Sequence, residues 1–129
     1  MAGKYVIRKT NAGFKFDLKS ENGEVVATSM VYSSIAACIS GAEMLRSIAA
    51  AEVEDQTVEG YAVKENPKYE LYIDKSGEFR FRLKDKNGDI LAVGEGYKSK
   101  ANCNNGVTSI KKNAPDAEVI EESKMMACH

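Results

Sequence analysis

The chain reads as an α+β protein: two tandem β-β-β-α-β repeats that form one antiparallel sheet with two helices on one of its faces. Three observations lead there. The sequence matches itself at a shift of 65, a self-similarity that sets the architecture before any motif is weighed. Phe14, Phe16, Leu18 and Lys19 correspond to Phe79, Phe81, Leu83 and Lys84; Asn22-Gly23 to Asn87-Gly88; Tyr32, Ser34, Cys38 and Gly41 to Tyr97, Ser99, Cys103 and Gly106. Within each copy, a period of two in the apolar residues gives way to spacings of three and four, the change from strand to helix. Each copy also carries the same punctuation: Asn-Gly between strands and a serine ahead of the helix.

The elements follow in order. Lys4–Arg8 is β-prone, and Asn11-Ala12-Gly13 is a turn signal. Phe14–Leu18 alternates strictly, as a strand with one buried face does. Asn22-Gly23 is a strong hairpin signal, and Val25–Thr28 resumes as a third strand. Ile35, Cys38, Ile39, Ala42, Leu45, Ile48 and Ala49 then line one face of a helix that Ser33 or Ser34 caps. Ala51–Asp55 is a short polar strand. In the second copy the strands are Tyr69–Ile73, Glu78–Lys84 and Ile90–Val93. Ser99 caps a helix whose apolar face carries Cys103, Val107 and Ile110, and which stops at Asn113-Ala-Pro115. Ala117–Glu121 repeats the short terminal strand. The expected division is a single domain, 1–129, with repeat 1 at 4–55, a linker at 56–67, repeat 2 at 68–122 and a flexible tail at 123–129.

Composition narrows the function. Hydrophobic residues are 43% and charged residues 29%, an ordinary globular balance rather than a disordered one. The net charge of −1 gives no global attraction to nucleic acid or anionic membrane. One repeat alone is near the lower size limit for a stable core, so the two are expected to share one. Cys38, Cys103 and Cys128 form no disulfide framework. No run has signal-peptide or membrane-span character, and a cytoplasmic location is expected.

The repeat resembles the YegP-like family of small proteins that have no assigned activity. The second copy carries the pattern as Tyr69, Gly77, Phe79-Arg-Phe-Arg-Leu83, Asn87-Gly88, Tyr97-Lys-Ser99, Gly106 and Ser109-Ile-Lys111. The first carries Phe14-Lys-Phe-Asp-Leu18, Asn22-Gly23 and Tyr32-Ser-Ser34, and departs at the helix end, where Met44-Leu-Arg46 stands for Ser-Ile-Lys. The likeness implies one continuous sheet in which the repeats exchange their last strands, and it implies no activity.

Chemistry-bearing residues are sparse. His129 is the sole histidine and sits at the terminus, which leaves no histidine-based nucleophile or base; with Cys128 it makes only two metal ligands and no cluster. Cys38 and Cys103 read as small apolar residues under the sheet rather than as a redox pair. Tyr32 and Tyr97 read as aromatic staples onto the helices, with a ligand groove as the alternative. No phosphate-binding glycine motif occurs. The outer face of repeat 2 carries Arg80, Arg82 and Lys84 beside Tyr72, a candidate binding surface. Glu70 and Asp74 are expected on the same face, where they would form cross-strand ion pairs. The reading is a small cytoplasmic binding or interaction module with no cofactor, no metal and no membrane contact. It is expected to be a monomer with an internal pseudo-dimer, holding a nucleic-acid or protein partner weakly. Nucleic-acid binding by that sheet face is the alternative; an enzyme is the least favoured.

Overall fold

The structure, a computed structural model, describes residues 3–122. The strands are β1 (Lys4–Thr10), β2 (Gly13–Lys19), β3 (Val25–Ser29), β4 (Glu52–Asp55), β5 (Lys68–Ile73), β6 (Phe79–Lys84), β7 (Ile90–Val93) and β8 (Glu118–Glu121). Helix α1 (Ile35–Ile48) follows β3. Helix α2 (Lys100–Asn113) follows β7 and ends where the sequence indicates, with Pro115 in a 3-10 turn, Ala114–Asp116, directly after it. The expected tail at 123–129, with Cys128 and His129, lies outside the described residues.

All eight strands join one sheet in the order β4-β5-β6-β7-β3-β2-β1-β8. Each meander is antiparallel, and β3 meets β7 antiparallel at the centre. The sheet is nevertheless mixed, which corrects the antiparallel expectation: β4 pairs with β5 in parallel, and β8 pairs with β1 in parallel. A tight hairpin forces antiparallel neighbours. β4 and β8 instead follow helices that cross the sheet, and such a connection allows a parallel partner. Both outer strands are short and acidic, Glu52-Val-Glu-Asp55 and Glu118-Val-Ile-Glu121. Charge on a short edge opposes pairing with another chain.

Both helices start as the sequence indicates. The Ser34 hydroxyl accepts from the Ala37 N–H at 3.1 Å, and the Ser99 hydroxyl from Asn102 at 3.1 Å. Their buried faces, Cys38, Ala42, Leu45 and Ile48 on α1 and Cys103, Val107 and Ile110 on α2, meet Tyr5, Phe16, Leu18, Tyr69, Leu71, Phe81 and Leu83 of the sheet in one cluster.

Two buried phenols tie the halves together. Tyr5 on β1 donates to the carbonyl of Ala114, beyond α2, at 3.0 Å. Tyr69 on β5 donates to the carbonyl of Ala49, the C-cap of α1, at 2.7 Å. Each first strand thus supplies a donor to a carbonyl at the end of the other repeat's helix; that of Ala114 also accepts from the Ala117 N–H and from Arg46, each at 3.4 Å. A cation covers each ring: Arg46 of α1 lies 5.4 Å from the Tyr5 centroid, and Lys111 of α2 lies 5.6 Å from that of Tyr69. Arg46 also donates to the carbonyls of Pro115 at 2.7 Å and Ala117 at 2.8 Å. The Met44-Leu-Arg46 departure therefore keeps the cation where it is used.

The repeats are expected to melt together. Thermal and urea unfolding followed by far-UV and tyrosine signals should give one superimposable transition, and a chain ending at Gln56 should be unfolded or dimeric. A folded, monomeric half would refute the shared core. Tyr69→Phe should cost about 1–2 kcal/mol, because it leaves a buried carbonyl without a partner.

Candidate binding surface

The face of β5 and β6 turned away from the helices carries the candidate residues. The register sets Glu70 opposite Arg82, Tyr72 opposite Arg80 and Lys68 opposite Lys84, while the alternate residues Tyr69, Leu71, Phe81 and Leu83 are fully buried below. Tyr72, Arg80, Arg82 and Lys84 are thus one patch, and the two acids expected beside them are there. The Arg82 guanidinium carbon lies 4.5 Å from the Tyr72 ring centroid, and its Nε donates to Glu70 Oε1 at 2.6 Å. Lys84 Nζ is 3.3 Å from the same oxygen. Arg80 Nε donates to Asp74 Oδ2 at 2.5 Å. The arginine side chains stay 37% (Arg80) and 29% (Arg82) exposed, so each holds a carboxylate while part of its fork faces solvent.

Beside this patch lies a buried charge group that the sequence reading does not contain. Glu54 on β4 and Lys68 on β5 are only 2% and 7% exposed. Lys68 Nζ donates to Glu54 Oε1 at 2.7 Å and lies 3.4 Å from Glu70 Oε2. The segment 56–67 closes over them: Gln56 Nε2 donates to Glu54 Oε2 at 2.7 Å, the Lys64 N–H to Glu54 Oε1 at 2.7 Å, and Lys68 Nζ to the Lys64 carbonyl at 3.1 Å. No apolar run marks this site, because its cover is a polar linker. Removal from water pushes the Glu54 carboxyl up. The hydrogen bonds from Lys68, Gln56 and Lys64 outweigh that and pull it from 4.5 to about 2. Burial likewise pushes Glu70 up, and the Arg82 and Lys84 contacts bring it below the usual carboxylate range. Repeat 1 reverses the polarity: there the acid is on the second strand, where Asp17 takes Arg8 Nε at 2.8 Å and the Thr28 hydroxyl at 2.8 Å.

The other singled-out residues pack in or against the core. Cys38 and Cys103 are fully buried beneath the sheet, and burial pushes both thiols up to about 11. Tyr32 and Tyr97 bridge to Phe14 and Phe79 through their backbones, ahead of the helix caps. Their rings reach past the first helical turn: a Cβ at Gly41 would sit 2.2 Å from the Tyr32 hydroxyl oxygen, and one at Gly106 would sit 2.6 Å from that of Tyr97. The repeated Tyr-x-Ser…Gly spacing was the available signal for this contact. Among the described residues, no three His, Cys, Asp or Glu side chains gather as a metal-ligand set, and no helix is long and apolar enough to cross a membrane.

Two β-β-β-α-β units in one mixed sheet, each with a tyrosine seated on a helix glycine, define a tandem-repeat α+β protein. The chain belongs to the family described as a domain of unknown function, DUF1508, whose model matches residues 10–55 and 74–121. It is 30% identical over 124 residues to a UPF0339 protein of Pseudomonas aeruginosa, covering 95% of this chain and all (100%) of that one. A stretch of 54 residues is 61% identical to a UPF0339 protein of Treponema denticola, covering 42% of this chain and 93% of that relative, which is thus about one repeat long. The fold is similar to the solution NMR structure of yegP from E. coli, a protein of unknown function, with a TM-score of 0.77 and 28% identity over 95% of this chain and 94% of that one. These likenesses carry no enzyme name and no ligand.

The depressed Glu54 sets an acid limb. A carboxylate held below its unfolded value contributes stability above that value and loses it as pH falls through the folded one. Urea stability should therefore fall between about pH 4.5 and about pH 2. Glu54→Gln should make that limb shallower while lowering stability at pH 7, since Lys68 keeps only the more distant Glu70 as counter-charge. In the native protein Cys38 and Cys103 should resist a disulfide reagent and react on unfolding; fast native labelling of either would place it elsewhere.

Proposed function

We propose that the chain is a small cytoplasmic, non-catalytic binding module: a single domain in which repeats 4–55 and 68–122, joined by the linker 56–67, exchange their last strands. The outer face of repeat 2 is its working surface. The observation that carries this reading is the Arg82–Tyr72 stack at 4.5 Å, with Arg80 and Lys84 on either side. Carboxylates fix both guanidiniums through Nε, which leaves a pre-positioned, half-exposed fork for an anionic group of a partner. The parallel pairings β4–β5 and β8–β1 support the exchange of strands, because each joins one repeat's last strand to the other's first. The carboxyls and thiols that depart from ordinary values sit in ion pairs or in the packed core, which supports a role without acid–base chemistry.

Nucleic acid is the second reading, favoured by the same aromatic–arginine stack. Against it stand Glu70 and Asp74 within the patch, so phosphate binding should be weak and fall steeply with salt. The test is fluorescence anisotropy with single- and double-stranded oligonucleotides at low salt, using wild type and Arg80→Ser/Arg82→Ser. If wild type binds neither strand form, nucleic acid is excluded. If the double variant keeps all binding, the surface is misplaced. If only its melting temperature falls, the arginines serve the neighbouring acids.

A further inference from the structure

A cleft of about 390 Å³ crosses the seam between the repeats, on the helix side of the sheet. Ser20 and Glu24, from the β2–β3 turn, form one wall. Tyr97, Asn102, Asn105 and Ser109 form the other. Its volume is at the low end of small-ligand sites. The three α2 residues fall at spacings of three and four, so they share one helix face. Gly106 lies on the same face, and its missing side chain makes room for the Tyr97 ring.

The pseudo-symmetric position in repeat 1 is built differently. At the shift of 65, Asn102, Asn105 and Ser109 correspond to Ala37, Ser40 and Met44, while Tyr97 corresponds to an identical Tyr32. Both carboxamides are absent there. The packing group is kept and the polar wall is not, so the fold does not require that wall. Asn102 and Asn105 are exposed at the rim of the cleft, and among the described residues their side chains make no hydrogen bond within the chain; Asn102 contributes only its backbone N–H, to the Ser99 cap. The Ser109 hydroxyl accepts from Asn113 Nδ2 at 3.2 Å, which leaves its own proton to donate. Burial pushes the Tyr97 phenol up, so it stays a neutral hydroxyl.

We infer that this cleft is a binding site for a neutral polyhydroxylated small molecule, a sugar or cyclitol of one or two rings. Carboxamides present a donor and an acceptor side by side, which matches adjacent hydroxyls; the Glu24 carboxylate accepts, and the Ser and Tyr hydroxyls do both. Val25 and Val26 supply an aliphatic floor for the C–H face of a ring. No lysine or arginine lines the cleft and Glu24 repels anions, so phosphates and carboxylates do not belong there. The site adds to the binding-module reading on a separate surface, and a failed oligonucleotide experiment leaves it untouched.

The full chain is titrated by ¹H–¹⁵N NMR with D-glucose, D-galactose, D-ribose and myo-inositol, beside glucose 6-phosphate and putrescine. At least one neutral probe should move the side-chain NH₂ signals of Asn102 and Asn105 saturably, in the millimolar range. Replacing the wall by its repeat 1 counterparts, Asn102→Ala/Asn105→Ser/Ser109→Met, should lower that affinity about tenfold or more at unchanged melting temperature. Should the triple variant not fold, Asn105→Ser alone should weaken binding in the same direction. The inference is overturned if no neutral probe gives saturable shifts, if only putrescine or the phosphate does, or if the wall variants bind as tightly as wild type.

Discussion

The structure depends on a reciprocal pair of hydrogen bonds. A buried phenol must place its hydroxyl proton on an acceptor, and a helix must place its last carbonyls on donors. Tyr5 and Tyr69 meet both demands at once, and each does so across the repeat boundary. Each helix end takes a donor from the other repeat in addition to those of its own chain. Arg46 and Lys111 reinforce the arrangement from above the rings, and Arg46 goes on to grip the segment that leads into β8. The outer strands are then delivered to the opposite meanders, where they pair in parallel.

On the outer face the governing constraint is electrostatic. Glu54, Lys68 and Glu70 are nearly removed from water, a costly position for any charge on its own. They are stable only as a set, with Arg82 and Lys84 on one side and the linker's amides on the other. The linker is therefore structural cover as well as a connection.

Local features of the fold were legible because their causes are local. The Asn-Gly turns, the alternation in Phe14–Leu18 and Phe79–Lys84, and the Ser34 and Ser99 caps each involve residues a few positions apart. The direction of β4 and β8 was not legible: it depends on which strand receives them, and both partners lie in the other repeat. Arg46 read as a departure from the repeat because its partners, Tyr5 and Pro115, are remote in sequence. For the candidate surface, strand alternation already brought Glu70, Tyr72, Arg80 and Arg82 to one face. The burial of Glu54 and Lys68 was hidden, since polar residues in 56–67 gave no sign that they cover anything. The Asn102–Asn105–Ser109 wall was visible letter by letter, but only the geometry of the β2–β3 turn makes it a cleft.

The linker has one more consequence, and it concerns stoichiometry. A chain holding one repeat could complete such a sheet only by meeting a second copy, and its folding would then vary with protein concentration. The twelve residues between the two units, 56–67, replace that encounter with an intramolecular one. Tethering also ends an obligation of symmetry. In a two-fold dimer of identical chains every substitution appears twice, and any surface feature comes in pairs. Here Asp17 faces Arg8 on one side while Arg82 faces Glu70 on the other, and carboxamides stand on α2 where alanine and serine stand on α1. Joined end to end, the two copies were free to differ in the side chains that they present.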